Sequence, residues 1–110
     1  MKTREYKIKT TQGDAYVMGR VAGPFGVHKD IKQKPAPYCL THIPSGYMLL
    51  WFYQARPAWV VQTRLKDSAY PEDPVKYPTR MREVVAKIVR VVEEELGKEI
   101  TQTRLCVREA

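Results

Sequence analysis

Four side chains in this 110-residue sequence are able to bind a soft metal or take part in nucleophilic catalysis: His28, Cys39, His42 and Cys106. Cys39 and His42 stand three apart in the strand-forming run "YCLTHI". In an extended chain that odd spacing sends the thiol and the imidazole to opposite faces, so the two are not placed to share a proton. The four together match no spacing of a closed zinc site, and neither a metal nor another cofactor is expected. A small ribonuclease would need a base and a cation at the scissile phosphate. His28 or His42 with Lys29 or Arg64 would supply both, although no spacing singles them out. Glu5, Asp14 and Asp30 are the only carboxylates before residue 67, too few for a two-metal nuclease. There is no phosphate-cradling glycine loop and no dinucleotide fingerprint. The chain reads as a non-enzyme.

Charge and aromatic content give a stronger chemical signal. The net charge is +7. Residues 1–66 carry eleven Lys or Arg against three acidic residues, and residues 67–110 carry eight against nine. Clustered cations attract polyanions through their field and through counterion release. In "YMLLWFYQ", residues 47–54, strict alternation places Tyr47, Leu49, Trp51 and Tyr53 on one face and Met48, Leu50 and Phe52 on the other. Rings surrounded by cations make a stacking platform for unpaired bases. The candidate set is therefore Lys7, Lys9, Arg20, Lys29, Lys32, Lys34 and Arg64 for phosphates, with Tyr47, Trp51 and Tyr53 for bases. A one-residue register change would exchange those rings for Met48, Leu50 and Phe52.

The elements that must position these residues follow from periodicity. Residues 3–22 alternate as two strands around "TQGD", forming a hairpin, with Gly19 weakening the second strand as at a bulge. Residues 23–37, with two Gly, three Pro and three Lys, read as a long basic loop. Residues 38–54 form a second hairpin around Pro44, Ser45 and Gly46, whose second strand is apolar on both sides and belongs at the centre of a doubly covered sheet. Residues 58–66, "AWVVQTRLK", read as a further strand, and residues 67–78 as a proline-rich connector. From Thr79, the expected N-cap, to Leu96, apolar residues recur every three or four positions: Met81, Val84, Val85, Ile88, Val91, Val92 and Leu96. Gly97 stops this helix. Residues 100–108 read as a short final strand.

The fold expected is α+β: one domain over residues 1–110, with an antiparallel sheet of five or six strands and one long amphipathic helix packed on one face. The order of elements is similar to that of whirly-type and coactivator-type single-strand binders, a likeness of architecture that no motif carries. No apolar run is long enough to span a membrane and the N-terminus lacks the apolar centre of a secretory signal, so a cytoplasmic protein with reduced cysteines is expected. One helix leaves a sheet face in need of cover, which a homodimer would supply. The function that fits best is non-enzymatic binding of single-stranded nucleic acid through a basic sheet face and loop. The alternative is a small protein-protein interaction module or inhibitor for an acidic protein partner, and a ribonuclease comes third.

Overall fold

The computed structural model describes residues 2–70, 73 and 75–105. It is an α+β fold with one antiparallel sheet, helices lying on one face. Strands β1 (Lys2–Thr10) and β2 (Gly13–Ala22) form the first hairpin, in which Tyr6 and Ile8 are buried and Lys7 and Lys9 exposed. At its turn Gly13 takes a φ of 108°, and the Thr10 hydroxyl donates to the Gly13 carbonyl at 2.6 Å.

Part of the expected 23–37 loop is a strand, β3 (Phe25–Lys29). Ala22 pairs with Phe25, so Gly23 and Pro24 alone make the connection. Gly23 has a φ of 57°, the positive value that the first position of a tight hairpin turn requires. Phe25, Gly26, Val27 and His28 are all buried, and a strand covered on both faces shows no polar alternation to betray it. The remaining loop, 30–37, is fastened at its base by the Asp30 N–H, which donates to the Pro37 carbonyl at 2.8 Å.

β4 (Tyr38–His42) and β5 (Tyr47–Phe52) form the second hairpin, and β6 (Thr101–Leu105) pairs with β5. Strand order in the sheet is the order in the chain. Residues 106–108 of the expected last strand lie outside the described residues, as does Cys106, while Cys39 is buried.

The expected strand over 58–66 is instead a helix, α1 (Ala55–Lys66). Pro57 sits in its first turn, where no N–H is needed. Ala58, Val61, Gln62 and Leu65 are buried at helical spacing, and polar Gln62 hides the period from a reading by hydropathy. Its Nε2 donates to the carbonyls of Arg20 at 2.7 Å and Phe25 at 2.9 Å, tying α1 to the β2–β3 turn. The long helix is α2 (Pro78–Leu96), closed by Gly97 at a φ of 68°. Its N-cap is Tyr77 and not Thr79, because Pro78 takes the first helical position. Met81, Val85, Val89 and Val92 are buried, whereas Val91 and Leu96 of the expected stripe are exposed.

Two helices, not one, therefore close one side of the sheet. Phe25, Val27, Leu40, Leu50 and Phe52 meet Ala58, Val61 and Leu65 of α1 and the four buried residues of α2 in one core. The other side is closed by the sheet's own bend. The Lys9 N–H donates to the Gly46 carbonyl at 2.7 Å, which brings the end of β1 to the β4–β5 turn. Tyr6 and Ile8 are thereby buried on the face of Gly19, Gly26, His28, Cys39 and Thr41. A Cβ at Gly26 would stand 2.5 Å from the Tyr6 ring, so the tyrosine lies directly over glycine. This concave face does not need a second copy of the chain to cover it.

Candidate nucleic-acid interface

The three rings expected to act together are separated by an irregularity in β5. Leu40 pairs with Leu50 but Thr41 with Met48, leaving Leu49 as an extra residue. Such a bulge reverses the alternation. Tyr47 shares the face of its partner His42, and Trp51 the opposite face of its partner Cys39. On that concave face the Trp51 ring centroid is 6.2 Å from that of His28. Tyr53 lies beyond β5, its hydroxyl donating to Glu99 Oε1 at 3.3 Å. No common platform of Tyr47, Trp51 and Tyr53 forms.

The cations are distributed more tellingly. Lys7 is exposed and pairs with Asp14 at 3.5 Å. Lys9 Nζ lies 5.2 Å from the Tyr47 ring centre and Lys29 Nζ 5.7 Å from that of Tyr38. Lys32 and Lys34 are exposed in the 30–37 loop. Arg20, from β2, lays its guanidinium 4.4 Å from the centre of the Trp59 ring of α1. Arg64 donates both terminal nitrogens to Glu95, at 2.6 and 3.1 Å, and this carboxylate raises its pKa further.

Arg20 and Arg64 are the two expected residues that the fold gathers into one groove. Arg56, Trp59, Val60 and Thr63 complete it, enclosing about 440 Å³. Arg56 and Trp59 do not stand out in the sequence, where they read as a break and part of a strand, and they join the groove only on helix α1. Read at 3.6 residues per turn, Arg56, Trp59, Val60, Thr63 and Arg64 fall at i, i+3, i+4, i+7 and i+8, one face of a helix. Among the described residues Arg56 has no acidic partner, so its charge faces solvent at the mouth of the groove.

The catalytic candidates are built into the interior. Cys39 pairs with His28 on the concave face, while His42 turns to the helix side, 5.7 Å from the Phe25 ring, so the Cys39 and His42 side chains diverge. Burial pulls both imidazoles below their ordinary pKa, against the opposing pull of Asp30 on His28 and Asp73 on His42. Burial, with Cys39 nearby, pushes the Tyr6 hydroxyl well above its usual value. Among the described residues no three His, Cys, Asp or Glu side chains converge as metal ligands, and no helix is long and apolar enough to cross a membrane.

Fold and groove define an α+β protein with a six-stranded antiparallel sheet and an arginine-lined indole on its helical side. No family model, no curated protein and no solved structure matches the chain.

Proposed function

We propose that this chain is a non-enzymatic nucleic-acid-binding protein that takes single strands in the Trp59 groove. The observation that carries the reading is the Arg20–Trp59 stack with Arg56 and Arg64 at its borders. An indole and a planar guanidinium offer flat surfaces to a base, and the remaining cations suit the phosphates on either side. Bases in a duplex are already stacked on one another, so a groove of this kind favours unpaired ones. The excess positive charge of residues 1–66 adds long-range attraction for the same ligand.

The test is fluorescence anisotropy of labelled single-stranded DNA, single-stranded RNA and duplex at low and moderate salt. Trp59→Leu keeps apolar volume on α1, and Arg56→Glu changes an exposed residue only. The expected outcome is salt-sensitive single-strand binding, weakened about tenfold or more by either change. Binding that is absent at low salt, or indifferent to both variants, overturns the reading.

A further inference from the structure

Strand β2 continues the groove onto a part of the sheet that the helices leave bare. Tyr16, Met18 and Arg20 alternate along β2 and so share one face, the face on which Arg20 meets Trp59. Beyond Arg20 the helix layer ends: Tyr16 is 67% exposed and Met18 60% exposed. Large apolar side chains exposed in line on a strand mark a contact surface more often than isolated ones do. Cations stand on both sides of this line. Lys7 pairs with Tyr16 across the β1–β2 ladder. Lys29 stands one residue beyond the Gly19–His28 pair, on the same face beside Met18.

From these positions we infer that a single-stranded nucleic acid bound at Trp59 runs on along β2 over Met18 to Tyr16, and that Tyr16 is its second stacking ring. The inference rests on the nucleic-acid reading of the groove and adds to it a direction, a length and a second base contact. Tyr16 and Arg20 are four residues apart, about 13 Å along a strand. With the groove itself this accommodates roughly four nucleotides, the low end for a single sheet-based domain. Charge complementarity selects the occupant. Lys7, Arg20, Lys29 and Arg56 border the apolar line, against Glu5, which faces Met18, and Asp14, which is engaged by Lys7. Glu5 is then an exposed carboxylate of the described residues that a passing phosphate chain would meet on this face.

The experiment compares oligothymidylates of two, four and eight nucleotides on the wild type, Tyr16→Ala, Glu5→Gln and Arg56→Glu, with a polyglutamate peptide as a second probe. Both new substitutions fall on exposed side chains, so folding is not at stake. The inference expects affinity to rise between two and four nucleotides and then level off. It expects Tyr16→Ala to weaken the four- and eight-nucleotide ligands about tenfold while sparing the dinucleotide, and Glu5→Gln to tighten them. Length-independent binding that responds to Arg56→Glu but not to Tyr16→Ala or Glu5→Gln overturns it and leaves the groove intact. Loss of all salt-sensitive binding overturns the groove itself. Polyglutamate binding as tightly, and with the same Tyr16 dependence, assigns the surface to an acidic protein segment and also overturns the inference.

Discussion

Both faces of the sheet bury side chains, but the helix side is filled by large residues of the sheet and of two helices, and the concave side is closed by β1, whose Tyr6 lies across two glycines. Phe25, Leu40, Leu50 and Phe52 supply bulk against α1 and α2. Opposite them, Gly19 and Gly26 remove bulk so that β1 can curl inward and Tyr6 can reach His28, its hydroxyl 3.5 Å from Nδ1. One face is stable because volume is present, the other because volume is missing. The two therefore fail in opposite ways: the helix side through cavities, the concave side through overpacking.

The largest expected effect is on the helix side. Phe52 is fully buried, and Phe52→Ala should cost about 3–5 kcal/mol in urea denaturation. The concave side breaks by addition. A Cβ at Gly19 would collide with the backbone carbonyl of Val27, which has no room to yield, whereas at Gly26 it meets the Tyr6 ring, which can swing away. Gly19→Ala should then cost more than Gly26→Ala, both within about 1–3 kcal/mol. In a Tyr6→Ala background Gly26→Ala should cost almost nothing further and Gly19→Ala should keep most of its penalty. A double-mutant cycle measures this directly, and equal Gly26→Ala penalties in the two backgrounds would show that Tyr6 is not what Gly26 accommodates.

This asymmetry also explains what could be read from the sequence. The first hairpin and α2 are legible because one side of each meets solvent and polarity marks the period, and the second hairpin because Pro44, Ser45 and Gly46 punctuate two β-rich runs. β3 and α1 are not. β3 is buried on both sides, and its brevity left Gly and Pro as the dominant signals, so it passed for loop. In α1, buried Gln62 interrupts the apolar stripe with a residue whose purpose, bonding two carbonyls of another hairpin, exists only in the folded chain. The candidate site suffered the same fate. Arg20 and Arg64 were identified by charge, but Trp59 and Arg56 join them only on a helix, and Tyr47 and Trp51 part company at a bulge no residue type announces.

A subtler probe of the two faces is protonation, since each holds one buried imidazole. Both have their pKa lowered from 6.5, principally by burial. As pH falls below about 6.5 the unfolded chain takes up protons that the folded chain resists, so stability is full above that value and declines as pH drops toward the folded pKa. The thermal midpoint should fall between about pH 7.5 and pH 5.5. His28→Gln should flatten the concave-side share of that slope and His42→Gln the helix-side share. A slope unchanged in both variants would place its origin in the carboxylates.

The smallest effect is expected where α1 meets α2 at the surface. The Arg64–Glu95 pair is bidentate, yet both side chains are substantially exposed, and water screens such a pair so that it adds little to the stability of the fold. Glu95→Gln should therefore leave urea stability nearly unchanged. Its consequence for the groove should be larger than its consequence for the fold. Removing the carboxylate frees the Arg64 guanidinium beside Trp59, so single-strand affinity should rise, and rise more at low salt than at moderate salt. If Glu95→Gln instead lowers affinity, the carboxylate is needed to aim Arg64, and the pair acts by orientation and not by charge competition. Either result separates Arg64 from Arg56, the arginine of the same groove that has no acidic partner among the described residues and should contribute its charge regardless of what happens at Glu95.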